Sequence, residues 1–254
     1  MLTAALVVLT VSCGVVDAVS FLALGRVFVA TMTGNVIFLG FALAGEPSLS
    51  ISAALTALGS FVVGVLAGGR LAARLGRHRG RHLGAAAAVA VVPMAAAIAL
   101  AAVVSPADAR YGLIVLLAFA MGVQVSTVRR LAVPDVPTIA LTMAMTALIS
   151  ESRFGGGTGH NIRLRAATII ALLVGATLGG VLVLHVAVAA GIALATALAA
   201  AVAVTILGLA AGTDSSAWRP PAGRPVPDRF VPDRPVPDRP VPDRPAERHP
   251  PSDR

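Results

Sequence analysis

Apolar residues run almost unbroken through residues 2–24, 51–69, 83–104, 111–128 and 166–212, and about 20 apolar residues suffice to cross a bilayer as helix. The runs lack the period-two alternation of a barrel strand. Hydropathy and its interruptions predict an all-α polytopic membrane protein, with helices at about 2–24, 28–44, 51–73, 83–104, 111–130, 136–151, 165–184 and 189–211. That gives about eight transmembrane helices, with six or seven as the alternatives. Polar punctuation falls at "GEPSLS" (Gly45 to Ser50), "GRLAARLGRHRGRH" (Gly69 to His82), "SPADARYG" (Ser105 to Gly112) and "ESRFGGGTGHNIRLR" (Glu151 to Arg165).

The segment from Gly69 to His82 carries five arginines, and basic loops stay on the cytoplasmic side. Alternate counting from it puts Arg26, Arg129 and Arg130 inside. The same count puts Gly45–Ser50, Ser105–Gly112 and, awkwardly, the three arginines of 151–165 outside. The two halves, 1–104 and 111–212, show weak likeness: Gly14 and Gly122, Thr33 and Thr142, and "GVLAGG" (Gly64 to Gly69) and "GATLGG" (Gly175 to Gly180) recur about 110 residues apart. Four crossings in each half would relate them as a parallel repeat.

Composition narrows the class. The chain has 254 residues, 57% hydrophobic and 13% charged, with net charge +8 and mean hydropathy +0.86, against roughly a quarter charged in soluble domains. All 20 basic side chains are arginine, and the part up to Gly212 holds 12 of them against five acids. Such charge at membrane edges sets orientation and meets anionic headgroups, so a nucleic-acid partner is not expected. From Thr213 to Arg254 the chain repeats Arg, Val, Pro and Asp, a composition that favours extended, disordered backbone. The lone Cys13 in "LTVSCG" lacks the basic stretch that precedes a lipoprotein cleavage box.

Ionisable and amide groups inside apolar helices are costly and mark sites. Asp17 is read as a proton or cation site or as the salt-bridge partner of Arg26, with plain helix pairing as the alternative. "ATMTGNV" (Ala30 to Val36) sets Thr33 and Asn35 beside a helix-weakening glycine, which predicts a broken helix or, more simply, interhelical hydrogen bonds. Gln124, Ser126 and Thr127 follow on the fifth span, and Thr138, Thr142 and Thr146 share one face of the sixth. Arg129 is a candidate contact for an anion or a lipid. The five histidines stand apart from other ligands, so no metal site is expected. Neither a catalytic set nor a cofactor motif is present, and an enzyme is not expected.

"GVVDAVSFLALGRVFVATMTGN" (Gly14 to Asn35) and "FAMGVQVSTVRRLAVPDVPTIALT" (Phe119 to Thr142) resemble the YoaK-like family of small bacterial integral membrane proteins. The resemblance covers roughly residues 4–212. It implies Asp17, Phe28, Thr33, Gly34 and Asn35 as one signature and Gly122, Gln124, Arg129, Pro134, Thr138 and Thr142 as a second. Met143 stands where the family tends to have glycine, and the Pro-Asp-Arg tail is a departure.

The expected function is transporter-like, with Asp17, Thr33, Asn35, Gln124, Thr138 and Thr142 around a polar intramembrane site for a small solute or cation. The alternative is a non-transporting scaffold or sensor. A bacterial inner-membrane location, contact with the lipid bilayer and homo-oligomers are the associated expectations.

Overall fold

A computed structural model describes residues 2–75, 79–131, 141–150 and 162–212. It is all-helical in these residues: α1 (Leu2–Ala23), α2 (Met32–Leu43), α3 (Ile51–Leu75), α4 (Arg79–Val103), α5 (Arg110–Leu131), α6 (Leu141–Ser150), α7 (Ile162–His185) and α8 (Val188–Gly212). Six of them, all but α2 and α6, are long and apolar enough to span a membrane. The tail from residue 213 and residues 132–140, with Thr138, lie outside the described residues.

Contacts at the helix ends fix the direction of each span. Tyr111 at the start of α5 shares a 2.8 Å hydrogen bond with Ser52 at the start of α3. Arg110 packs against Gly25, just past the end of α1. The end of α1 and the starts of α3 and α5 therefore meet at one end of the bundle, here called the Arg26 end. Along α1 and α7, Val11 faces Gly175 and Val15 faces Gly179, so these two helices run parallel. By the same test α3 and α5 run parallel, Gly64 facing Phe119 and Gly68 facing Val123.

This order overturns the expected second crossing. Arg26 donates a 3.3 Å hydrogen bond to Ser48, which places the turns before and after α2 at the same end. A 12-residue helix is only about 18 Å long, short of the ~30 Å hydrocarbon core. The chain from Val27 to Leu43 enters as non-helical backbone, bent at residues 29 and 30, and returns as α2, a re-entrant hairpin. Arg26 consequently sits opposite the 69–82 segment, not beside it. The second half does likewise: α5 ends, and α7 starts, at the end opposite Arg26, so α6 between them makes no net crossing. That also moves Arg163 and Arg165, at the start of α7, to the same end as Arg70 and Arg74. Their awkward outward placement was a parity error.

Without a hydrophobic drive between helices in lipid, close packing of small residues holds a bundle together. Glycine seams supply it here in two matching places. A Cβ on Gly14 would strike Leu172, Gly175 and Ala176 of α7, and a Cβ on Gly122 would strike Phe61, Gly64 and Val65 of α3. Each residue of the second set lies 111 positions before its counterpart in the first, while Gly122 lies 108 after Gly14. Burial repeats on the last helix of each half: His82, Leu83, Ala86, Ala90, Met94 and Ala97 of α4 have buried counterparts 109 residues on, in Gly191, Ile192, Ala195, Ala199, Ala203 and Ile206 of α8. Yet α1 and α5 run in opposite directions. A relation between the halves is therefore an inversion, not the parallel axis that four crossings each would need.

Candidate functional site

The non-helical stretch of the first hairpin packs beside the last turns of an apolar span, and backbone groups within a bilayer need partners inside the protein. Asp17 supplies them. It sits six residues before the end of α1, about 9 Å in along the axis, and is 7% exposed. Its Oδ1 accepts the N–H groups of Val29 (3.0 Å) and Ala30 (2.8 Å), and its Oδ2 accepts the Thr31 hydroxyl (2.5 Å). Four to five residues later Asn35, fully buried, grips the same stretch from the other side. Its Oδ1 accepts the Phe28 N–H at 2.8 Å and its Nδ2 donates to the Phe28 carbonyl at 2.5 Å. Two side chains thus replace the ladder that a helix would have given residues 28–31.

The local sequence makes this geometry affordable. Gly25 (φ 93°) and Arg26 (φ 58°) both take the left-handed turn, and Arg26, with its Cβ, holds it at a cost of about 1–2 kcal/mol. A Cβ on Gly34 would lie 2.7 Å from the Phe28 ring, so only glycine lets that ring close over the start of α2. Phe28 then packs in a triad with Phe21, at 5.2 Å, and Phe38, at 5.7 Å, which lie 6.1 Å from each other.

The candidates separate into groups. Asp17 and Asn35 converge on one hairpin, while Thr33, one residue from Gly34, is exposed and Thr31 makes the bond to Asp17. Asp17 is not the ion-pair partner of Arg26: its oxygens are occupied by the hairpin, and Arg26 reaches Ser48 instead. Gln124 is 2% exposed and crosses from α5 to α1, donating to the Leu9 carbonyl (3.2 Å) and Cys13 sulfur (3.5 Å). Cys13 is one helical turn from Asp17, so Gln124 neighbours the hairpin's anchor without touching the hairpin. Its Oε1 is buried without a hydrogen-bond partner. Thr142 and Thr146 are exposed on α6, in the element that enters from the opposite end. Arg129 is exposed at the end of α5. Sequence reading passed over Thr31 and Phe28's backbone, whose roles follow from a fold-back that only the Asp17-to-Asn35 spacing hints at.

With this geometry in place, the match to known proteins has a physical content. A family model described as "Protein of unknown function (DUF1275)" matches residues 5–205. The chain belongs to this family. Within it, the chain is 28% identical over 146 residues to the "UPF0700 transmembrane protein YoaK" of Bacillus subtilis (strain 168), an alignment covering 56% of this chain and 64% of that protein. The chain thus spans under two thirds of that relative's length. No solved structure matches. The protein is a multi-pass membrane protein of the YoaK-like family.

Proposed function

We propose that this DUF1275 protein is a transporter-like protein of the bacterial inner membrane, moving a small solute or cation through a bundle made of two inverted halves, residues 1–104 and 111–212. The observation that carries the reading is the non-helical backbone at membrane depth, anchored by a buried carboxylate. Interrupted helices related by inversion are the arrangement in which many secondary transporters bind their cargo, near the bilayer midplane and between the halves. Asp17 would supply charge beside the non-helical segment, and Gln124, on the α1–α5 crossing between the halves, would supply an open carbonyl. The arginine-rich end faces the cytoplasm on the positive-inside rule. The bundle works alone or as a homo-oligomer.

A scaffold that transports nothing is the second reading, favoured by one specific observation: three donors from the hairpin already occupy the Asp17 carboxylate. Proteoliposomes loaded with a proton-sensitive or a sodium-sensitive dye separate the two. Transport predicts a cation flux that Asp17→Asn lowers at least tenfold while the variant stays folded, because asparagine keeps an acceptor for Val29 and Ala30. Flux unchanged by that substitution removes Asp17 from the mechanism, and no flux from the wild type for either ion favours the scaffold.

A further inference from the structure

Charge is divided unequally between the ends of the bundle. Eight arginines of the described residues (Arg70, Arg74, Arg79, Arg81, Arg129, Arg130, Arg163 and Arg165) lie at the end opposite Arg26, and no described carboxylate lies there. Three spans meet at that end, because α5 packs on both α3 and α4. The Arg130 guanidinium lies across Gly69, next to Arg70: a Cβ on Gly69 would be 3.6 Å from it. His82, in the first turn of α4, is 2% exposed and lies within electrostatic reach of Arg130. Its Nε2 is buried with no hydrogen-bond partner.

We infer that the junction of α3, α4 and α5 at this end binds the phosphate of an anionic lipid through Arg70, Arg74 and Arg130. The arginine fork suits phosphate oxygens. What points to a lipid is the surface continuing away from the arginines. Val62, Leu66, Arg70 and Arg74 succeed one another at four-residue spacing, one stripe of α3. Val62 and Leu66 are more than half exposed, an apolar track for an acyl chain ending under two guanidinium groups. The corresponding place in the other half carries little of this chemistry. There Leu22 lies over Gly180 as Arg130 lies over Gly69, Val181 stands where Arg70 stands, and of the basic residues only Arg74 has a basic counterpart, His185.

Native mass spectrometry of the full chain, equilibrated in detergent with phosphatidylglycerol or phosphatidylcholine, tests the assignment. The wild type should retain the anionic lipid well above the zwitterionic one. Each arginine near a membrane surface is worth about 1 kcal/mol, so Arg70→Gln with Arg130→Gln should weaken retention roughly 30-fold. Arg26→Gln at the other end should leave it unchanged. Equal retention of the two lipids by the wild type overturns the inference, and this arm needs no variant to fold. So does retention by a folded double variant that equals the wild type. Displacement of phosphatidylglycerol by millimolar inorganic phosphate would assign the site to a free anion and overturn the lipid.

Discussion

The two halves of this bundle share their seams and differ in their chemistry. Gly14 meets Gly175 and Ala176 as Gly122 meets Gly64 and Val65, and the buried positions of α1 recur on α5 108 residues later almost without exception. The polar residues do not follow. Val125 occupies the place of Asp17, Ala144 that of Asn35, Val16 that of Gln124 and Leu22 that of Arg130. Helix pairing in lipid needs only small residues and good contact, so it constrains both halves alike. Buried polar groups cost energy wherever they stand, so each survives where something requires it. The first hairpin needs Asp17 and Asn35 to satisfy its open backbone.

The largest effects should come from the seams, and they should be equal in the two halves. Valine at Gly14 or at Gly122 would drive its Cβ into the backbone of the facing helix, where nothing flexible can give way. Such overpacking against backbone exceeds the usual 1–3 kcal/mol. Both variants should lose most of their folded yield, measured by monodisperse recovery in detergent, whereas valine at Gly40, with open space around it, should be recovered like the wild type. A large loss at Gly14 with none at Gly122 would break the equivalence of the seams.

Smaller, and deliberately unequal, are the effects at the positions where the halves diverge. Asp17→Ala leaves the N–H groups of Val29 and Ala30 without an acceptor, at about 1–3 kcal/mol for each buried group. Val125→Ala removes two methyl groups from a partly buried site, about 1 kcal/mol by lost packing. Thermal unfolding should therefore separate the two by several degrees, with Asp17→Asn falling between Asp17→Ala and the wild type. If Asp17→Ala and Val125→Ala melt together, the carboxylate does not hold the hairpin.

The long spans were legible because composition alone decides them: a run of 20 apolar residues has few other uses. The glycine correspondences were visible too, since the seam residues stand at nearly constant spacing. The hairpin was not. Residues 28–44 are apolar because α2 exposes Val36, Ile37, Phe41 and Leu43, as a lipid-facing crossing helix would. What distinguishes a re-entrant element is the pairing of Asp17 with residues 29–31 and of Asn35 with Phe28, contacts between parts of the chain that no local pattern encodes. Counting it as a crossing inverted the direction of α1 and displaced Arg26 to the wrong end. The same error, repeated at α6, made Arg163 and Arg165 look misplaced. For the polar candidates, residue type alone could not say that Asp17 and Asn35 would share a partner segment while Thr33 is exposed.

The smallest effect should come from the brace that closes the first hairpin at its mouth. Arg26 donates to Ser48 Oγ, and that hydroxyl donates in turn to Glu46 Oε1 at 2.8 Å, which also accepts the Ser48 N–H at 3.2 Å. These bonds, the hydroxyl foremost, hold the Glu46 carboxyl below its ordinary value, with Arg26 adding a weaker pull. A depressed acid stabilises the folded state above its unfolded pKa, and that contribution is lost as pH falls through the lower, folded value. Glu46 is fully exposed, so water and salt screen the brace. Ser48→Ala should therefore lower the melting temperature only slightly at neutral pH, and the gap from the wild type should close as pH drops below Glu46's ordinary 4.5. Comparing the two proteins at each pH cancels the effect of groups common to both. A gap that stays constant on acidification would mean that Ser48 acts through Arg26 alone, and that the mouth of the hairpin is held without its carboxylate.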